Sequence, residues 1–245
     1  MVYFKHKADM KFCVIIPCYN HAETLGSVLK SLPTSLQAIV VDDGSDIPVK
    51  VENSDVHVLR LSQNLGKASA LIAGFNEARK FGATHVITID SDGQHPAEYI
   101  PFMMSIAEEN PNDIVVAVRD FENSKIPPAR KFLNKFSNFW FRVETKKNLN
   151  DTQCGFRCYP LALLDKLDLC FDGFVFEVEL LVKAAWAGTS FSEIKIPALY
   201  STQTLKKSHY KPIMDTWRFT VMNTRLYFAS VFLPKKILKK IALKK

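Results

Sequence analysis

The chain has 245 residues but only 9 glycines, and it contains neither G-x-G-x-x-G nor G-x-x-x-x-G-K-[ST]. A dinucleotide fingerprint and a Walker-type phosphate cradle are therefore excluded, and any phosphate charge must be held by other groups. Long apolar runs are missing too. A membrane span needs roughly 18 apolar residues, and the nearest approach, Val221 to Leu233, is interrupted by Asn223 and Arg225. The 5 cysteines (Cys13, Cys18, Cys154, Cys158 and Cys170) include no C-x-x-C pair and form an odd set. That excludes a zinc-finger spacing and a complete disulfide framework, and points to reduced thiols in a reducing compartment. Met1 to Lys11 is charged, and the apolar stretch Phe12 to Pro17 is too short for a secretory signal. The expectation is a cytoplasmic protein.

Acid is nearly absent from the C-terminal end. From Ser201 to Lys245 there are 11 Lys or Arg and a single acid, Asp215, whereas the first 200 residues hold 21 basic and 24 acidic residues. The net charge of +7 thus belongs to a tail on a mildly acidic body. Such asymmetry is expected to meet a polyanion, and an anionic membrane surface is favoured. No nucleic acid is expected as partner, because the chain carries no RNA- or DNA-binding motif. A solubilising tail without any partner is the plainer alternative.

What is present is a rhythm of short buried strands and helices. Phe12 to Pro17, Ala38 to Val41, His57 to Leu61, Val86 to Asp90 and Ile114 to Val118 read as strands. Ala22 to Leu32, Lys67 to Phe81 and Glu98 to Glu109 read as the helices between them, with Asn20 as a cap before the first. This alternation predicts a doubly wound, mostly parallel sheet, in which ligands bind beyond the carboxyl ends of the strands. Polar residues fall there in turn: Tyr19 and Asn20, Asp42 and Asp43, Asp90 and Asp92, then Arg119. After about residue 125 the pattern changes. Pro127 to Val143 predicts a basic, aromatic helix, and Asp151 to Tyr159 a loop entering a short strand. Glu177 to Ala187 predicts a helix, Ile194 to Pro197 an extended segment and Asp215 to Leu233 a long apolar helix. Lys235 to Lys245 predicts a basic amphipathic end with Ile237, Leu238, Ile241 and Ala242 on one side.

The substitute for a phosphate loop is Asp90-Ser-Asp92-Gly-Gln94-His95, which follows a buried strand. Two carboxylates two residues apart, with an amide oxygen two further on, make a hard-oxygen site suited to Mg²⁺ or Mn²⁺ bridging to a diphosphate. A cation there neutralises charge on a leaving nucleoside diphosphate. In isolation, a turn or helix cap accounts for the same spacing.

The wider context is more specific. Val14-Ile-Ile-Pro-Cys-Tyr-Asn20, Val40-Val-Asp-Asp-Gly-Ser45, Asn64-Leu-Gly-Lys67, Asp90-Ser-Asp-Gly-Gln-His-Pro96 and Asp151-Thr-Gln-Cys-Gly-Phe-Arg157 occur in this order. Together they resemble the family 2 glycosyltransferases, and within them the branch of dolichyl- and polyprenyl-phosphate mannose and glucose synthases. The resemblance runs over roughly residues 11 to 200. It implies an α/β, GT-A fold and inverting transfer of a hexose from a UDP- or GDP-sugar. The domain expected is 1–200, with 201–245 as a basic, apolar helical extension lying at a membrane interface.

Carried over residue by residue, the resemblance assigns Pro17, Tyr19, Glu23 and Asp42 to the nucleoside. It leaves Asp43 to support the turn and lets Lys67 approach the donor. Asp90, Asp92 and Gln94 correspond to the metal and diphosphate cluster, and Arg119 and Arg130 to arginines that contact donor and acceptor phosphates. Guanidinium forks suit that task. A lipid phosphate acceptor is already an anion and needs no general base, whereas a hydroxyl acceptor needs a carboxylate. The candidates for that base are Asp151, Glu177 and Glu179, and the last two, being two apart on a helix, point to different faces.

Two departures bear on the acceptor. Where the branch usually has an Arg-rich or Gly-Glu-Ser-Lys segment, this chain has Thr204-Leu-Lys-Lys-Ser-His-Tyr-Lys-Pro212, able to clamp phosphate through Lys206, Lys207 and His209. Many members of the branch also carry transmembrane helices, and none is predicted here. An interfacial anchor is expected instead, with Trp217, Tyr227 and Phe228 at the depth where aromatic rings settle. The reading is thus a peripheral enzyme on the inner face of a membrane, with polyprenyl phosphate as acceptor. The alternatives are a hydroxyl acceptor on a lipid, glycan or lipid-linked aryl compound, a sugar-nucleotidyltransferase, and a non-catalytic membrane-binding module.

Overall fold

The computed structural model describes residues 10–122, 128–170, 173–199 and 212–244; the basic stretch with Lys206, Lys207 and His209 lies outside them. The first half runs β1 (Phe12–Cys18), α1 (Ala22–Lys30), β2 (Ala38–Asp42), β3 (Val56–Arg60), α2 (Lys67–Lys80), β4 (His85–Thr88), α3 (Ile100–Glu109) and β5 (Ile114–Arg119). The second half runs α4 (Pro128–Thr145), β6 (Arg157–Pro160), α5 (Leu161–Leu164), α6 (Phe176–Ala187), β7 (Phe191–Ile196), α7 (Pro212–Phe232) and α8 (Lys235–Ala242). Asn20 does not cap α1. His21 holds the N-cap position, its side chain making no capping bond to α1, and Asn20 instead exchanges hydrogen bonds with Asp46 (Nδ2 to Oδ2, 3.1 Å; Asp46 N to Asn20 Oδ1, 3.0 Å).

The strands form one 7-stranded sheet in the order β3-β2-β1-β4-β6-β5-β7. All pairings are parallel except those of β6, which runs antiparallel to both β4 and β5. Side chains alternate across a strand, so β1 feeds two cores. Cys13 and Ile15 pack with α2, α6, α7 and α8 on one face. Val14 and Ile16 pack with α1 and α3 on the other. With both faces covered, β2 reads Ala-Ile-Val-Val-Asp with every residue buried, as a parallel sheet between helices requires. Each fully buried Val, Ile or Leu contributes roughly 1.5–3 kcal/mol, so these faces hold the rim that carries the site.

The reversal of β6 matters most for function. Because Thr88 pairs with Arg157 across antiparallel strands, the loop that precedes β6 meets the loop that follows β4. The Asp151–Phe156 segment is thereby brought to the same rim as Asp42, Asp90 and Arg119.

The C-terminal extension shares the domain's core. Met222 and Leu226 of α7 and Leu238 and Ala242 of α8 are buried in the same cluster as α2 and α6. Main-chain bonds from Asp168 N to Ala242 O (2.9 Å) and from Lys244 N to Lys166 O (2.8 Å) fasten the end. The apolar side expected to enter a membrane is therefore divided. Leu238 and Ala242, four apart in one helical row, face the protein, while Ile237 and Ile241 in the next row are exposed.

Candidate functional site

The Asp-Asp-Gly-Ser turn after β2 is built by its own carboxylates. Asp42 is fully buried; its Oδ1 accepts from the Ser45 amide at 2.9 Å, and its Oδ2 from the Val49 amide at 3.1 Å and from Arg60. Burial opposes the charged form of Asp42, but the Ser45 hydroxyl and amide, the Val49 amide and Arg60 outweigh it and hold its pKa below the ordinary value. Asp43 accepts from the amides of Leu65 and Gly66, both at 2.8 Å, and so fixes the start of α2 directly before Lys67. Gly44 permits this fold-back. It has φ +69°, and a Cβ there would meet the Gln63 backbone at 2.4 Å, a clash no side-chain movement relieves. The carboxylate of Asp42 thus shapes the turn, with both oxygens already accepting hydrogen bonds.

At the centre lies a group of charges from α2, α6 and the segment after β4, with Lys67 and Asp90 half-buried and Glu177 buried. Lys67, the first residue of α2, places Nζ 2.7 Å from Asp90 Oδ1 and 2.8 Å from Glu177 Oε2 at the start of α6. Burial disfavours both charges, but the mutual attraction wins. Lys67 drives the pKa of Asp90 down to about 2, with His95 and Arg119 adding to the effect. The pKa of Lys67 itself rises under Asp90 and Glu177. Gly155 leaves room for this pair, since a Cβ at that position would stand 2.9 Å from both Asp90 Oδ2 and Lys67 Nζ. Its carbonyl accepts from Thr88 Oγ1 at 2.7 Å, which ties the pre-β6 loop to β4.

His95 closes the group from below. Its Nε2 is 3.6 Å from Cys154 Sγ and its Nδ1 3.8 Å from Asp90 Oδ2, the latter too long for a hydrogen bond. Burial favours a neutral ring, yet Cys154, Asp90 and Asp92 raise its pKa to about 9. Arg157 is fully buried and donates to Tyr159 Oη (3.1 Å), Glu177 O (2.9 Å) and Thr152 O (2.8 Å). Three buried polar atoms in this neighbourhood have no hydrogen-bond partner: His95 Nδ1, Glu177 Oε1 and Arg157 Nε. Buried polar groups are rarely left so.

On the other side of the rim, Arg119 at the end of β5 grips Asp151 bidentately, Nε to Oδ2 at 2.7 Å and Nη2 to Oδ1 at 2.9 Å. Asp151 is fully buried and also accepts from Asn134 of α4 and from the Gln153 amide. Its role here is that of a counter-ion fixing Arg119 and α4. Glu177 and Glu179 do part company. Glu177 enters the central group, while Glu179 accepts from the Cys170 amide (3.0 Å) and pairs with Lys183 (2.9 Å) elsewhere.

Of the remaining expected residues, Pro17 sits in the ladder opposite Val41, Tyr19 follows β1 half-buried, and Glu23 is exposed on the first turn of α1. Arg130 is half-buried on the first turn of α4. Asp92 and Gln94 occupy the rim, with the Gln94 amide donating to Asp92 Oδ1 at 2.9 Å. Among the described residues no group of three or more His, Cys, Asp and Glu converges as a complete metal site. Asp90, Asp92 and Gln94 fit a hard divalent cation as a partial set, whose other positions would be taken by ligand oxygens and water. Sequence reasoning passed over Arg60, His95, Asn134 and Arg157. Only His95 and Arg157 carried a signal, as members of the Asp-Gly-Gln-His and Cys-Gly-Phe-Arg motifs.

A sequence model of glycosyl transferase family 2 matches residues 13–168. The chain is 31% identical over 177 residues to the undecaprenyl-phosphate 4-deoxy-4-formamido-L-arabinose transferase of Proteus mirabilis, covering 66% of this chain and 52% of that one. It therefore spans about half the length of that relative. It is 29% identical over 204 residues to the undecaprenyl-phosphate mannosyltransferase of Micrococcus luteus, covering 76% and 83% of the two chains. Among solved structures, glucosyl-3-phosphoglycerate synthase from Mycobacterium tuberculosis, in complex with Mn²⁺, UDP and phosphoglyceric acid, superposes with TM-score 0.64 at 18% identity over 93% of this chain and 81% of that one. TarS of S. aureus in complex with UDP gives 0.58 at 19% over 95% and 70%. These likenesses establish the GT-A fold with helices at its C-terminal end.

Proposed function

Because this chain belongs to glycosyl transferase family 2, we propose that it moves a hexose, with inversion, from a UDP- or GDP-sugar to polyprenyl phosphate. The observation that carries the choice of acceptor is the state of the three carboxylates a hydroxyl would call on. Asp151 is held by Arg119, Glu177 by Lys67 and Glu179 by Lys183. A hydroxyl must lose its proton during attack, and all three candidate bases are tied to cations. A phosphate is anionic at neutral pH and attacks unaided. The names of the two relatives, each a transferase acting on undecaprenyl phosphate, support the same reading.

In this reaction an oxygen of the acceptor phosphate bonds to the anomeric carbon as the bond from that carbon to the diphosphate breaks on the opposite face. The electron pair leaves with the nucleoside diphosphate, and the configuration inverts. Pro17, Tyr19, Glu23 and the turn shaped by Asp42 receive the nucleoside. Lys67 approaches the diphosphate, and Arg119 and Arg130 hold phosphate oxygens through guanidinium forks. Asp90, Asp92 and Gln94 would hold Mg²⁺ or Mn²⁺, which would supply Lewis-acid neutralisation of the leaving charge. The Mn²⁺ and UDP named with the mycobacterial structure support a divalent ion and a uridine donor.

An acceptor of this kind lies in a bilayer, and no helix among the described residues is long and apolar enough to cross one. The surface of α4 and α7 suits docking instead. Phe132, Phe136 and Phe139 of α4 and Trp217, Phe228 and Phe232 of α7 are exposed, Trp217 at 68% and Phe232 at 71%. The exposed lysines of α8 follow α7 in the chain, and apolar rings with positive charge favour an anionic interface. All five cysteines are free thiols, which supports a reducing compartment and hence the cytoplasmic face.

The test is turnover of a panel of UDP- and GDP-sugars with and without Mn²⁺ and polyprenyl phosphate. Metal-dependent release of nucleoside diphosphate, stimulated by the lipid phosphate and lost in Asp92→Ala, is the expected result. Turnover that ignores polyprenyl phosphate and falls in Asp151→Asn or Glu177→Gln, with donor binding kept, would move the acceptor to a hydroxyl. Release of pyrophosphate would indicate nucleotidyl transfer, and no donor binding at all would contradict the whole reading.

A further inference from the structure

Lys67 is engaged with the very carboxylate that a divalent ion would need. Its Nζ lies 2.7 Å from Asp90 Oδ1 and 2.8 Å from Glu177 Oε2, and the absent Cβ of Gly155 lets the pair close. A cation approaching Asp90 therefore meets an ammonium already in place, and two positive charges cannot share that oxygen cheaply in a shielded site. Glu177 offers the ammonium somewhere to turn. It is only 7% exposed, and its Oε1 is buried with no hydrogen-bond partner, so it has accepting capacity left over. The lysine stem starts at the first turn of α2, where Asp43 anchors the two preceding amides. The base of the stem is thus fixed while its four-carbon chain can swing.

We infer that Lys67 is a place-holder cation, occupying Asp90 until a nucleoside diphosphate draws its ammonium away, so that the divalent ion and the nucleotide are taken up together. The inference rests on the donor chemistry proposed above and adds to it an order of events. In the empty site Lys67 neutralises Asp90 and keeps the bare ion out. When the diphosphate arrives, the ammonium exchanges one anion for another and keeps Glu177 as its pivot. Asp90 is then released to join Asp92. Metal and nucleotide are coupled through one side chain that cannot satisfy both anions at once. By linkage the coupling is reciprocal, each ligand raising the affinity for the other by the same factor.

The experiment is calorimetric, on the full chain. Mn²⁺ is titrated alone, and the nucleoside diphosphate that the wild type binds, UDP or GDP, is titrated at zero and saturating Mn²⁺. The ratio of the two nucleotide affinities is the coupling factor, and chelation of Mn²⁺ by free nucleotide cancels between variants. In Lys67→Met the affinity for Mn²⁺ alone should rise, and the coupling factor should fall by roughly tenfold. Glu177→Gln leaves the ammonium with Asp90 as its only carboxylate. Affinity for Mn²⁺ alone should then fall and the coupling factor rise, the opposite sign. If Lys67→Met does not fold, the Glu177→Gln arm still decides. Simple loss or gain of one charge would move metal affinity but leave the coupling factor unchanged in both variants, and that result overturns the inference while leaving the proposed function intact. A wild type that binds neither UDP nor GDP overturns both, and is recognised by the absence of any nucleotide signal.

Discussion

On the β2 side of the rim four main-chain amides hold the carboxylates, with Arg60 as one added cation on Asp42; on the β5 side and at the centre side-chain cations predominate, with the Gln153 amide an added donor to Asp151. Asp42 and Asp43 accept from the amides of Ser45, Val49, Leu65 and Gly66. Asp90, Asp151 and Glu177 accept from Lys67 and Arg119. Amide bonds shape a loop and stay made. An ion pair can be exchanged for another. In the proposed reaction the nucleoside would meet the amide-shaped side, and the charged end of the donor the ion-paired side, which can respond when phosphate arrives.

Removing a carboxylate proposed to hold the divalent ion should have the largest effect. Asp92→Ala is expected to lower donor turnover by about a thousandfold, some 4 kcal/mol of barrier, with the folded state intact because Asp92 lies at the rim; a melting curve beside the rate assay separates the two. Next comes the ion-pair side itself. Asp151→Asn leaves the Arg119 guanidinium without its bidentate partner, and breaking a buried pair costs about 3 kcal/mol of stability, read as a lower urea midpoint at unchanged slope. On the amide side, Gly44→Ala forces a Cβ into the Gln63 backbone and should cost about 2 kcal/mol, with nucleotide affinity falling more than metal affinity. Were Gly44→Ala to disturb metal and nucleotide binding equally, the two sides of the rim would not be distinct.

The smallest effect lies away from the rim. Glu144 of α4 is 2% exposed, neither of its carboxylate oxygens has a hydrogen-bond partner, and burial pushes its pKa up from 4.5 to about 8. The folded chain thus keeps a proton that the unfolded chain releases near pH 4.5. Stability from this group is complete below that value, declines as pH rises toward about 8, and is flat beyond. Glu144→Gln should stabilise the protein at pH 8.5 by on the order of 2 kcal/mol and change little at pH 4.5. Thermal unfolding at the two pH values checks both the size and the sign.

The first half of the molecule was legible because its signals are local. Buried runs such as Ala38-Ile-Val-Val41 end in Asp-Asp-Gly-Ser, and such a strand end places its polar residues on the rim without reference to anything distant. The second half depends on pairings across long separations. Nothing near Arg157-Cys-Tyr-Pro160 states that this strand inserts antiparallel between β4 and β5, yet that insertion delivers Gly155 to Lys67 and Asp151 to Arg119. Asp151 is a candidate base through the resemblance; its burial against Arg119 is not encoded in spacing. The sequence shows Lys235 to Lys245 as a basic amphipathic segment; the structure makes Lys235–Ala242 a helix, and the pattern alone could not say that Leu238 and Ala242 face the protein. The exposed aromatic rows of α4 and α7 were visible as composition, and only the packing shows which rings remain outside.

The central claim is that the acceptor is an anion that needs no base, and one comparison tests it directly. Transfer from the donor that the chain turns over should be measured, in the same detergent and with Mn²⁺, to polyprenyl phosphate and to the polyprenol of identical chain length. The account expects glycosylated polyprenyl phosphate and no product from the alcohol, with Glu177→Gln and Asp151→Asn retaining measurable transfer. Product from the alcohol alone, abolished by either amide substitution, would contradict it.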